Sequence, residues 1–155
     1  MQDTLKQDFT LRITQANRTE LTVIVFDMAL AYLSDAKEAQ DKDAFAAGIR
    51  RAGDCVEELK HALDFQYELS GILLHVYIEV KKLLVRAALT GKYDYAEEAY
   101  GILEHLRDAF AKVAEQDDSA PLVENAQAVY AGFTYGKNDV NINLDSQSTG
   151  RGFLV

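Results

Sequence analysis

Residues 20–33 read ELTVIVFDMALAYL. The run is too apolar for one face of an ordinary amphipathic helix and too irregular for the period-two alternation of a strand. On a helical wheel of about 100° per residue it resolves into two ribs. Leu21, Ile24, Val25, Met28 and Tyr32 make one; Val23, Phe26, Leu30 and Leu33 make a second on roughly the opposite side. Only a narrow polar strip, Glu20, Asp27, Ser34 and Glu38, divides them on one flank. A helix apolar on both sides needs cover on both, so the chain is a packing of helices.

Outward from this stretch, helix signals recur. Thr19 suits the N-cap of a first bundle helix running to about Ala39, and Asp43 that of a second reaching about Leu63. A third spans about Glu68 to Leu89, with Gly91 as its stop, and a fourth runs from Asp94 to about Glu115. Short connections make neighbours antiparallel, which predicts an all-α, up-down-up-down four-helix bundle over residues 19–115. Residues 1–18 read as an extended segment, because Phe9, Leu11 and Ile13 alternate with period two. In 116–155, Pro121 opens a short fifth C-terminal helix ending near Gly132, and the Gly-, Asn- and Ser-rich remainder reads as a flexible tail.

The wheels divide the four bundle helices into two kinds. The second carries one stripe (Phe45, Ile49, Ala52, Val56, Leu59, Leu63), as does the fourth (Ala96, Ala99, Tyr100, Leu103, Leu106, Phe110, Val113). The third is two-faced like the first. Leu69, Ile72, Leu73, Val76, Val80, Leu83 and Leu84 form its main face, and Leu74, Ile78, Val85 and Leu89 form another. A bundle buries one stripe per helix, and each large apolar side chain left in water forgoes about 1.5–3 kcal/mol of burial. The outer ribs, Val23, Phe26, Leu30 and Leu33 with Leu74, Ile78, Val85 and Leu89, are therefore the candidate partner-binding surface. Phe9, Leu11 and Ile13 form a candidate lid over one outer groove.

Composition narrows the function. Hydrophobic residues are 48% and charged residues 26% of the 155, a globular balance. A net charge of −9 opposes binding to nucleic acid or to an anionic membrane. No apolar leader and no run of spanning length is present, and the single cysteine, Cys55, suits a reducing cytoplasm.

Catalytic constellations are not legible. A di-metal bundle needs two Glu-x-x-His motifs, and Glu58-x-x-His61 is the single match, on the charged side of its helix. Cys55 borders the apolar stripe with no histidine placed to activate it, and no glycine-rich phosphate loop exists. Neither enzyme nor cofactor is expected.

The order of motifs resembles the flagellar export chaperones of the FliS family. Glu20-Leu21 leads into an apolar run that closes on Phe26-Asp27, where the family has Tyr-Asp. Tyr77 and Lys82 fall at the Leu-Tyr and basic positions of the third helix. Leu103, Leu106, Arg107, Asp108 and Phe110 match Leu-x-x-Leu-Arg-Asp-x-Trp, with Phe for Trp. Asn17-Arg18-Thr19 stands in place of Ser-Pro, Gln66-Tyr67 in place of paired glycines, and Leu73 in place of an asparagine. The similarity covers about residues 9–115. It implies a cytoplasmic chaperone that binds the disordered C-terminal segment of flagellin, prevents premature polymerisation and delivers it to the flagellar type III export apparatus. A self-associating bundle, with the outer ribs meeting in a homodimer, is the alternative.

Overall fold

The structure is a computed structural model and describes residues 2–123. Among these, five helices and no strand occur: α1 (Asp3–Gln15), α2 (Arg18–Glu38), α3 (Lys42–His61), α4 (Glu68–Thr90) and α5 (Tyr93–Ala114). Helix α2 packs on α3 and α5, and α4 packs on the same two, so α2 and α4 lie on a diagonal of a four-helix bundle.

Local chemistry sets the helix ends. Asn17, not Thr19, caps α2: its side chain accepts from the Glu20 amide at 2.9 Å, while the Glu20 carboxylate accepts from the Asn17 amide at 2.8 Å. This reciprocal capping box satisfies two amides that the helix cannot, which a lone Thr19 would not do. Asp41, two residues ahead of the expected Asp43, caps α3 by accepting from Ala44 N at 2.8 Å. Gly91 ends α4 at φ +67°, a left-handed conformation that a side chain would strain.

Fully buried Phe26, Leu33, Val56, Tyr77, Val80 and Leu103 form the bundle core. The Phe26 ring lies tilted against Tyr77 at 6.3 Å and Phe110 at 5.4 Å. Helices α2 and α3 approach closely where Gly48 meets Ala36; a Cβ on Gly48 would stand 2.8 Å from that of Ala36 and 2.9 Å from the Tyr32 carbonyl oxygen. Leu69 and Ile72, expected on the main face of α4, are instead exposed at its N-terminal end.

The N-terminal segment is a helix rather than an extended strap. Phe9 and Ala16 are buried against Ile24, with Leu21, Met28 and Ala31 around them. Phe9, Arg12 and Ala16 share one side at i, i+3 and i+7, a helical spacing that three residues at period two did not reveal. Burial against α2 decides the conformation. At the other end, Pro121, Leu122 and Val123 are not helical, and the rest of the expected fifth helix and tail lies outside the described residues.

Candidate functional site

The two-faced helices meet different fates. In α2, Phe26 and Leu33 point into the bundle, both 0% exposed, and Leu30 packs partly against the core, while Val23 is buried beside the groove between α1 and α5. Their burial corrects their placement on the outside. The other rib, through Leu21, Ile24 and Met28, faces outward and α1 covers it. A wheel yields two opposed ribs but not which one faces in. The available signal was small residues: Ala29 and Ala36 continue the Phe26–Leu33 side, and Ala36 permits the approach of Gly48.

The second rib of α4 faces solvent. Leu74 is half-buried, Ile78 is 38% exposed, Val85 52% and Leu89 81%. Their side borders α3, where Ile78 and Val85 line a groove of about 410 Å³ with Glu57, Lys60, Lys81, Lys82 and Arg86. Glu57 bridges Lys60 at 2.9 Å and Lys81 at 3.3 Å, and Lys81 also donates to the Gly53 carbonyl at 3.3 Å. Those two lysines hold the Glu57 carboxyl below its usual pKa, the Lys60 hydrogen bond most strongly. The opposite flank of α4 opens at the bundle end, where Tyr67, Leu69, Leu73, Phe110 and Val113 line a groove of about 340 Å³.

The lid residues separate. Phe9 is buried under α1, Leu11 is half-buried and Ile13 is largely exposed. A groove of about 500 Å³ runs beside them, lined by Arg12 of α1 and Ala16 just after it, Val23 and Ile24 of α2, and Ala111 and Ala114 of α5.

Two features of this end escaped sequence reasoning. Asp27, a lone acid among apolar neighbours in the sequence, accepts from Arg107 Nε and from Arg12 Nη2, each at 2.7 Å, so α1, α2 and α5 join at one carboxylate. The Asp27 hydrogen bond raises the pKa of Arg107 further. Residues 117–122 fold back over the α1–α2 elbow. Thr19 Oγ1 donates to Asp117 at 2.5 Å, buried Asn17 donates its side-chain amide to the Asp117 carbonyl at 3.1 Å, and Leu122 N donates to the Ala16 carbonyl at 3.0 Å. Such long-range pairs leave no periodic trace.

Glu58 and His61 are both exposed on α3, and no group of metal-binding side chains occurs among the described residues. Burial raises the Cys55 thiol pKa to about 11, with Asp54 and Glu58 adding to it, so the thiolate nucleophile is suppressed. No described helix is long and apolar enough to cross a membrane.

Against known families, the model described as Flagellar protein FliS matches residues 1–117, which takes in α1 to α5 and ends where the strap over the elbow begins. No curated protein matches the chain.

Proposed function

Because the chain belongs to the FliS family of flagellar export chaperones, we propose that its client is the disordered C-terminal segment of flagellin, held in the cytoplasm, kept from polymerising and passed to the type III export apparatus. One observation carries this reading. The back of α2 is covered by α1, whereas the back of its diagonal partner α4 leaves Ile78, Val85 and Leu89 in water. A disordered segment that folds on binding offsets its ordering entropy by burying such a strip. The client site is then Leu74, Ile78, Val85 and Leu89. Phe26, Leu30 and Leu33 support it from the core.

The test is calorimetry of the flagellin C-terminal segment against the whole chain. Ile78→Asp or Leu89→Asp is expected to weaken binding at least about tenfold with an unchanged circular dichroism spectrum. Unaltered affinity in both variants rules out this rib as the client site.

A second element belongs to the same reading. Helix α1, through Phe9 and flanked by Leu11 and Ile13, acts as a lid that the client displaces from the back of α2. The groove of about 500 Å³ between α1 and α5 supports this, since the cover is incomplete. Deleting residues 1–16 is expected to raise aggregation of the free chain and to leave client binding intact or tighter. Abolished binding in a folded truncation would make α1 a client contact instead.

A further inference from the structure

The groove between α3 and α4 is charged as well as apolar. Its wall holds Lys60, Lys81, Lys82 and Arg86 against the single carboxylate of Glu57, in a chain whose net charge is −9. Glu79 lies just beyond and pairs with Lys82 at 2.7 Å. A basic strip on an acidic protein is a local field opposite to the global one, which favours a partner of complementary charge in a fixed register.

The apolar floor has a definite length. Ile78 and Val85 line it two helical turns apart, and exposed Leu89, which borders the neighbouring groove, continues the strip one turn beyond, about 16 Å from Ile78 along the axis. Lys82 and Arg86 lie at i and i+4 along the outer edge, while Lys60 and Lys81 stand on the α3 side. We propose that this groove receives an amphipathic helix of about three turns in the partner protein, bearing acidic residues on the borders of its apolar stripe. The inference rests on the reading of this flank as a client site and specifies the chemistry of the client portion that lies here. A second copy of the chain is the poorer occupant. A two-fold interface would set the groove against itself, with cations facing cations.

Two short helical peptides with one shared leucine stripe, one edged with Glu and the other with Lys, separate these possibilities by fluorescence anisotropy on the full chain. The Glu-edged peptide is expected to bind at least about tenfold tighter, with the difference shrinking as salt rises. The double variant Lys82→Glu, Arg86→Glu is expected to erase the preference, and Val85→Asp to weaken both peptides. Equal binding by the native chain, or a preference that survives charge reversal, overturns the proposal. So does self-association in sedimentation that Val85→Asp abolishes, which would assign the groove to a second copy. The flagellin segment, measured in parallel, distinguishes the layers. If it binds native and charge-reversed chains alike, the charge inference fails and the client reading stands. If it does not bind the native chain, the client reading fails, and the peptide pair still decides the charge preference.

Discussion

Asp27 and Arg107 are joined by a 2.7 Å ion pair between α2 and α5, and the second oxygen of the same carboxylate holds Arg12 of α1 at 2.7 Å. Both belong to stretches that resemble family motifs, far apart in sequence, and the fold makes them one contact. The Asp27 side chain is 16% exposed and its two arginines are each about one-third exposed, so solvent screens part of the attraction. Asp27→Asn is expected to cost about 1–2 kcal/mol in urea denaturation. Faster amide exchange in α1 than in α3 would show that the carboxylate is what tethers α1.

Phe26 and Ile78 divide core from surface. Phe26→Ala removes a ring that touches both Tyr77 and Phe110, and is expected to cost about 3–5 kcal/mol. Phe26→Asp is expected to unfold the bundle. Ile78→Asp, on the exposed flank, is expected to change the unfolding midpoint little, and a comparable loss in both would place the α4 rib in the core.

Two glycines in helices respond oppositely. Gly48→Ala forces its methyl against Ala36 and the Tyr32 carbonyl, so thermal stability is expected to fall. Gly101, in α5, has nothing within 4 Å of an added Cβ. Gly101→Ala is expected to raise stability by about 0.5–1 kcal/mol, since alanine loses less backbone freedom in a helix. Calorimetric scans of both variants check the pair.

The buried thiol is expected to be unreactive. With its pKa raised to about 11 by burial, Cys55 holds almost no thiolate at pH 8. Its reaction with a thiol reagent is expected to be slow in native protein and to reach the rate of free cysteine in denaturant. Fast native labelling would show that α3 opens readily.

The strap over the elbow is expected to loosen in acid. Hydrogen bonds from Ser119, then Thr19, lower the Asp117 pKa, so its folded value lies below its unfolded one. Its stabilisation is complete above about pH 4 and is lost as the pH falls through the folded value. Exchange of the Leu122 amide, bonded to the Ala16 carbonyl at 3.0 Å, is expected to accelerate below that point. A rate with the same acid dependence in a Thr19→Val, Ser119→Ala variant would exclude Asp117 as the cause.

Periodicity by itself determined the four bundle helices and the two-faced character of α2 and α4, because 3.6-residue repetition survives any tertiary context, and the short connections determined their antiparallel order. Gly91 was legible as a stop for the same local reason: its left-handed backbone belongs to the residue. The direction each rib faces was not legible. It depends on which neighbours exist, and α2 has α1 behind it while α4 has none among the described residues. That difference turned Phe26 and Leu33 into core and left Val85 and Leu89 exposed. Helix α1 itself is the clearest case, since the period-two placing of Phe9, Leu11 and Ile13 favours a strand over a helix. Only the burial of Phe9 and the reach of Arg12 to Asp27 choose between them, and those are contacts between residues distant in sequence, whose energy exists only once the bundle has formed.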